Sequence, residues 1–468
     1  MKIVMKFGGT SLADGDRMKH VAEIVSKYYK MGHKIVVVTS AAAGVTDDLQ
    51  TAVERASSGD RGYVDGFIKK LAQRHEDTAS AILDQKSKEV YMVELNERLN
   101  EIKNVLLGMT YLREATPRSK DFIMSMGERL SSPLFCLRLQ KMGLDAKFLN
   151  GWEAGIITDD RYGEAKPLMP LVLQLVRERL GPLIEKGIIA VVTGYIATTS
   201  DGHITTLGRG GSDYTASILG SALSVDEIWI WTDVDGIMTT DPRIEPSAKV
   251  IPELSFGEAA EMALFGAKLH PKTLEPAVAQ GIPIRVRNTF NPDNVGSLIL
   301  NKEIVGQEIV KAVTMSKNMS LINVNISKDV GVANALSNLF KALLESKIDT
   351  VMTSQSSSEP NVSLVVQRKD VDISCKAIRG AFEKLGFQHQ ITADNDICVV
   401  AAVGAGMKGK LGTAARIFSA VAREGINVIM ITQGSSELNI SFVTKKADGE
   451  RAVRAIHREF MLGGDKNV

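Results

Sequence analysis

The chain has 468 residues, too many for one ordinary hydrophobic core, so two or three domains are expected. A hydrophobic content of 44% with 24% charged residues is that of a soluble globular protein. A net charge of +1 provides no electrostatic footprint for nucleic acid or an anionic membrane, so partners of both kinds are excluded.

Lys2–Phe7 reads as a short strand ending at Gly8-Gly9, where the apolar run is too short for a signal-peptide core. A helical stretch, Arg17–Met31, and an apolar run, Lys34–Val38, follow. Strand, glycine turn, helix and strand make the βαβ unit of a parallel sheet. In KFGGTS (Lys6–Ser11) the two glycines let backbone N–H groups close around phosphate oxygens, with Lys6 adding a point charge. A tight turn with a solvated lysine is the alternative.

From Thr46 to about Leu112 the pattern is helical and charged, with Met92, Leu95, Leu99, Ile102 and Leu106 on one face. In SMGERLSS (Ser125–Ser132), Glu128 lies among small and apolar residues and needs a partner if buried. A substrate ammonium serves, and so does the neighbouring Arg129.

Ile188–Val192, Glu227–Trp231 and Pro283–Val286 read as further buried strands. TTLGRGGSDYTA (Thr205–Ala216) is glycine-dense, which costs conformational entropy without adding packing and points to a site. Arg209 suits a bidentate pair with a carboxylate; Asp213 either holds Lys6 or caps a helix. In WTDVDGIMTTDPR (Trp231–Arg243) a strand runs into a polar rim suited to a nucleotide. Asp233 and Asp235 are too weak a signal for a dedicated metal site. Mg²⁺ carried in on nucleotide phosphates is the simpler expectation. NTFNPDNVGS (Asn288–Ser297) closes an α/β layered domain of about 300 residues, whose chemistry is expected at the carboxyl ends of its strands.

Beyond that point the chain repeats itself. MTSQSSSEPNVSLVV aligns without a gap to ITQGSSELNISFVT, with Gln355 on Gln433 and Asn361 on Asn439 at an offset of 78 residues. Both copies read strand, helix, strand, turn, strand, helix, a pair of small α+β modules. VGAGMKGK in the second copy spells GxGxxG at Gly404, Gly406 and Gly409, yet too little chain follows for a dinucleotide domain. A loop that lets a small ligand approach the backbone is expected there. The three cysteines, Cys136, Cys375 and Cys398, are too scattered for a disulfide framework and fit a reduced cytoplasmic compartment.

KFGGTS, the VTS and GVT pair around Ser40 and Thr46, SMGERLSS, GRGGSD, WTDVDG, FGAKLHPKT (Phe265–Thr273) and the tandem modules together resemble the aspartate kinases of the amino acid kinase family. The resemblance implies an αβα sandwich around a mainly parallel sheet in residues 1–300, then two ACT (ferredoxin-like) modules at 310–388 and 389–468. It implies MgATP-dependent phosphorylation of the side-chain carboxylate of L-aspartate, the first step towards lysine, methionine and threonine. By it, Lys6, Gly8 and Gly9 would meet the γ-phosphoryl and Asp213 would orient Lys6. Ser40, Thr46, Glu128, Arg209 and Ser212 would hold aspartate, with Glu128 on the ammonium and Arg209 on the α-carboxylate. Thr232, Asp233, Arg243 and Lys268 would contact ATP. Gly404, Gly406, Met407, Gln433, Gly434 and Ser435, with Gln355 in the other copy, would form effector pockets for threonine or lysine in a homodimer or tetramer joined through the modules.

The sequence departs from the family pattern in places. Lys268 is followed directly by Leu269-His270-Pro271, one residue short, and Met238 replaces a frequent tyrosine. The glycine loop is missing from the first module. The rival readings are another kinase of this fold, acting on glutamate or carbamate, and an amino acid sensor without turnover.

Overall fold

The computed structural model describes residues 1–264, 271–302, 308–327, 330–355 and 361–463. It opens with β1 (Lys2–Phe7), α1 (Gly15–Lys30) and β2 (Lys34–Thr39). The helical region that follows is α2 (Val45–Ser57), α3 (Arg61–Ile82), α4 (Gln85–Leu112), α5 (Pro117–Met124) and α6 (Met126–Lys141). Side-chain oxygens of Asp14, Asp60, Asp84 and Thr116 cap α1, α3, α4 and α5, each accepting from a backbone N–H in the first turn. Next come β3 (Ala146–Leu149), β4 (Ile157–Thr158), α7 (Met169–Glu185), β5 (Ile189–Thr193), β6 (Ile196–Thr199), β7 (Ile204–Thr206), α8 (Gly211–Leu223) and β8 (Glu227–Thr232). β9 (Glu253–Ser255), α9 (Phe256–Leu264), α10 (Pro271–Ala279), β10 (Ile284–Asn288) and β11 (Ser297–Leu300) follow. Asn288–Ser297 therefore does not close the domain, because β11 adds antiparallel to β10 and carries β9 beside it.

Eight strands form one sheet in the order β3-β5-β2-β1-β8-β10-β11-β9, parallel from β3 to β10. Along β1, Ile3, Met5 and Phe7 join a core with α1–α6, while Val4 and Lys6 point to the other face, which α8 covers. Ile3, Met5 and Phe7 are completely buried, and each such side chain stabilises the layer by roughly 1.5–3 kcal/mol. Because β5, β2, β1 and β8 are parallel neighbours, with Phe7 level with Thr39 and Trp231, the loops after all four gather at one end of the sheet.

The remaining chain holds β12 (Ala312–Ser316), β13 (Met319–Ile326), α11 (Val332–Glu345), β14 (Met352–Gln355), β15 (Asn361–Gln367), α12 (Val371–Lys384) and β16 (His389–Asp394). It ends with β17 (Ile397–Val403), α13 (Thr413–Arg423), β18 (Met430–Thr432), β19 (Asn439–Lys445) and α14 (Gly449–Glu459). Two antiparallel sheets result, β14-β15-β13-β16 and β12-β17-β19-β18, each with an apolar core under its helices. They are interleaved in sequence: β12 precedes the first module but pairs with β17, and β16 follows α12 and pairs with β13.

The chain forms two compact units. One contains most of residues 1–301; the other contains Met238–Ile251, the part of α9 after Phe256, and the described residues beyond 302. Among the described residues no helix is long and apolar enough to cross a membrane.

Candidate active site

Strand periodicity puts Lys6 on the α8 face of the sheet, and the first turn of α8 presents Asp213 to it. Lys6 Nζ lies 2.6 Å from Asp213 Oδ1, with the two side chains only 12% and 11% exposed. Asp213 is not the helix cap: that position is Gly210, in the left-handed conformation, and α8 has no side-chain cap. Removing one partner of so buried a pair leaves an uncompensated charge, which typically costs about 3–5 kcal/mol.

After Lys6 the chain turns sharply. An added Cβ at Gly9 would sit 2.8 Å from the Ala41 carbonyl oxygen, and one at Gly8 would sit 3.6 Å from Lys6 Nζ. Only glycine at position 9 lets this turn pass so close to the loop of residues 40–44, and the missing side chain at Gly8 keeps the space beside the lysine open.

α6 docks on the same loop. A Cβ at Gly127 would lie 2.6 Å from that of Ala41. Ser131 Oγ donates to the Ser40 carbonyl at 2.8 Å, and the Thr39 and Ser132 hydroxyls meet at 2.6 Å. This contact aims Glu128, buried in the first turn of α6, into the space beside Lys6. Arg129 is not its partner. That guanidinium turns away to Glu101 at 3.3 Å and lies over the Phe122 and Trp152 rings. Burial pushes the Glu128 carboxyl up to about 8, and the backbone amides of Ala41 and Glu128 and the charge of Lys6 only partly oppose it. Glu128 Oε2 is buried and has no hydrogen-bond partner among the described residues. A cationic group placed there would satisfy it.

These elements enclose a cavity of about 690 Å³, lined by Lys6, Gly9, Ser40, Thr46, Glu128, Arg209, Ser212 and Asp213 among others. Arg209 is exposed at its rim and makes no ion pair among the described residues. Ser212 packs against Gly194, where a Cβ would come within 2.6 Å of it. Asp121, Tyr195 and Thr206 also line the cavity, and sequence reasoning missed all three. Tyr195 has a left-handed backbone, φ 67°, a strained state for a non-glycine residue and a signal that only coordinates expose.

Thr232 and Asp233 stand at the carboxyl end of β8 and bond to each other at 3.1 Å, outside the cavity lining. Asp235 is held by the side-chain amides of Asn288 and Asn291, at 2.8 and 3.1 Å. That is a structural tie between loops. Arg243 belongs to the second unit and forks onto Asp241. Lys268 and the shortened LHP segment lie outside the described residues, apart from Pro271.

In the second module, the 404–409 loop and the turn after β18 come together. Gly409 N–H donates to Glu437 at 2.7 Å and Gly404 N–H to the Leu438 carbonyl at 2.9 Å. Gln433, Gly434 and Ser435 are exposed there, Met407 is buried, and Gln355 is exposed at the end of β14, which runs beside β18. The expected reason for the glycines needs correcting. A Cβ at Gly404 would lie 2.6 Å from the Ile309 carbonyl oxygen, and one at Gly406 would lie 2.3 Å from that of Glu308. What approaches this backbone so closely is the chain's own lead-in to β12.

The layered sheet with loops gathered over one lysine, followed by two interleaved α+β modules, defines the class: an amino acid kinase fold with ACT-type modules. The model of the amino acid kinase family matches residues 1–288, and that of an ACT domain matches residues 319–382 and 400–460. The chain therefore belongs to the amino acid kinase family, in its aspartokinase branch. It is 33% identical to bifunctional aspartokinase/homoserine dehydrogenase 1 of Arabidopsis thaliana, over 98% of this chain and 51% of that protein. It thus spans about half the length of such bifunctional relatives. With Arabidopsis aspartokinase 1 it shares 31% identity over 99% of this chain and 80% of the relative. E. coli aspartokinase III is 30% identical; its complex with aspartate and ADP (R-state) superposes at a TM-score of 0.85 over 98% of this chain and 100% of that one. Its complex with lysine and aspartate (T-state) gives 0.77 over 98% and 99%.

Proposed function

We propose that this chain transfers the γ-phosphoryl group of ATP to the side-chain carboxylate of L-aspartate, giving 4-phospho-L-aspartate. One observation carries the reading: a single cavity presents a buried carboxyl with one oxygen unpartnered among the described residues (Glu128 Oε2), a rim guanidinium (Arg209) and a fixed ammonium (Lys6). The first two complement the zwitterionic end of an amino acid, and the third suits a transferring phosphoryl. Complementarity to a zwitterion argues against carbamate as the acceptor.

The acceptor is ionised at neutral pH, its reference pKa being about 3.9, so no general base is needed. A carboxylate oxygen attacks the γ-phosphorus, the bond to the β,γ-bridging oxygen breaks, and ADP leaves with that electron pair. Catalysis is then alignment and charge neutralisation. Lys6, kept in place by Asp213, neutralises charge on the phosphoryl oxygens, and the Gly8-Gly9 turn admits them. With no side chain at Gly8, whose Cβ would stand 3.6 Å from Lys6 Nζ, the lysine is left open to a phosphoryl oxygen. Mg²⁺ carried in on the nucleotide would supply further charge neutralisation, and no side chain is assigned to hold it. Ser40, Thr46 and Ser212 complete the acceptor pocket. Thr232, Asp233, Arg243 and Lys268 are assigned to ATP on the resemblance alone.

We take residues 1–300 as catalytic and 310–388 and 389–468 as regulatory modules, apart from the strand that each lends to the other. Feedback by lysine or threonine fits the ACT pair, as does assembly of a dimer or tetramer through it. The lysine complex of E. coli aspartokinase III supports an amino acid effector. ADP release measured with MgATP and aspartate, glutamate, carbamate or no acceptor tests the function. Aspartate-dependent turnover supports it, and binding without turnover leaves the sensor reading.

A further inference from the structure

Arg209 is the residue on which the proposed acceptor site most depends, and it is exposed on a glycine-rich loop without an ion pair among the described residues. Something other than its own bonds must fix where that loop starts. The loop leaves β7 at Thr206, three residues before Arg209. There the chain is fastened by Asp121, which is 2% exposed and lies on α5. Asp121 Oδ2 accepts from the Thr206 backbone N–H and from that of Gly163, both at 2.9 Å, and Oδ1 accepts from Thr206 Oγ1 at 2.9 Å. One carboxylate thus joins α5, the 160s turn and the root of the GRGGSD loop.

Two further contacts extend this junction. Ala165 N–H donates to the Thr206 carbonyl at 2.9 Å. Gly208 lies against the 160s turn, where a Cβ would come within 3.1 Å of Glu164 Cγ and 3.2 Å of the Gly163 carbonyl oxygen. Thr206 is therefore held from both its N–H and C=O sides, and the chain stays pinned as far as Gly208. Tyr195 stands on the chain beside this root, since Leu207 N–H donates to the Tyr195 carbonyl at 2.9 Å and Ile196 pairs with Thr206.

We propose that Asp121 is a positioning residue for acceptor binding: through Thr206 it fixes the root of the GRGGSD loop and so the reach of the Arg209 guanidinium. It touches no reacting atom. This inference rests on the proposed aspartate kinase reading, and its consequence is selective. Lys6 and the Gly8-Gly9 turn are not fastened by Asp121, and Asp213, at the far end of GRGGSD, is carried by the first turn of α8 and paired with Lys6, so a fault at this junction should impair acceptor binding and spare nucleotide binding.

The test is steady-state kinetics on the full chain as wild type, Asp121→Asn, Thr206→Val and Thr206→Ser. Asparagine keeps the shape of Asp121 but presents an amide NH₂ donor in place of one acceptor oxygen, so one or two of the three hydrogen bonds are lost and the rest go to a neutral group. Asp121→Asn is expected to raise KM for aspartate about tenfold or more, with KM for ATP within about twofold of wild type. Thr206→Val, which removes only the hydroxyl bond and keeps the fold, is expected to raise KM for aspartate about threefold or more. Thr206→Ser, which restores that hydroxyl, should return it to the wild-type value. An unchanged KM for aspartate in Thr206→Val, or parallel rises for aspartate and ATP, overturns the inference. Wild-type enzyme lacking aspartate-dependent turnover would instead overturn the functional reading on which it rests.

Discussion

The ammonium of Lys6 and the carboxylate of Asp213 are 2.6 Å apart, one on the last turn-facing position of β1 and the other in the first turn of α8. The pairing comes from strand alternation, which puts Lys6 on the face that α8 covers. Lys6→Ala should lower kcat by about 10³-fold or more, the scale of losing a preorganised charge at a phosphoryl group. It should also destabilise the fold by about 3 kcal/mol, because Asp213 is left buried and unpaired. Lys6→Ala/Asp213→Ala should recover most of that stability and none of the activity. Additive losses of stability in chemical denaturation would show that the pair is not coupled.

Glu128 gives a pH dependence whose sign is fixed. Its carboxyl is raised to about 8 in the folded protein, well above its ordinary value of 4.5, because burial disfavours the charged form. Between these values the native state holds a proton that the unfolded chain releases. This contribution to stability is therefore present below about 4.5 and is lost as pH rises through about 8. Glu128→Gln should be less pH-sensitive than wild type over this window and more stable than wild type near pH 8, as read by thermal unfolding. An equal pH slope in the two proteins contradicts the assignment.

The same group should report on ligand binding. An ammonium beside Glu128 favours its ionised form, so aspartate binding near pH 7 should release part of a proton. Titration calorimetry in buffers of different ionisation enthalpy measures that release. It should vanish in Glu128→Gln. Release that survives the substitution places the ammonium elsewhere.

Gly406 makes a prediction about the second module. Its Cβ position is 2.3 Å from the Glu308 carbonyl oxygen, so Gly406→Ala must push the lead-in to β12 away. That segment also carries Lys311, whose ammonium lies 3.1 Å from Glu258 in a buried pair. A second Glu258 oxygen accepts from the Ala405 N–H at 2.7 Å. Gly406→Ala should cost about 2 kcal/mol or more, the range of overpacking against backbone. Gly434→Ala, with nothing nearer than 3.6 Å, should be close to neutral. Equal melting temperatures for the two variants would remove the close-packing account.

Much of the catalytic fold was legible in the sequence, because its strands are short apolar runs ending in chemically distinctive loops. Lys6, Arg209 and Asp213 stood out because their glycine-rich settings make no sense as packing. The choice between a substrate ammonium and Arg129 as partner of Glu128 was not legible. It depends on Glu101, Phe122 and Trp152, residues far apart in sequence that collect the arginine. Nothing in the sequence singles out Asp121, since the groups it fastens, Gly163 and Thr206, follow 42 and 85 residues later. The glycines at 404 and 406 were recognised as close-approach positions, but the approaching backbone was not, because periodicity within the repeat says nothing of the strand that precedes it. For the same reason the exchange of β12 and β16 between the two sheets was invisible.

The central claim is that the distal carboxylate of aspartate accepts the phosphoryl group. An acyl phosphate is captured by hydroxylamine, so the most direct measurement is formation of aspartate 4-hydroxamate by the protein with MgATP, aspartate and hydroxylamine. The account predicts hydroxamate that matches ADP one for one, depends on aspartate and is lost in Arg209→Ala. ADP released without hydroxamate, or hydroxamate formed as readily by Arg209→Ala, would contradict it.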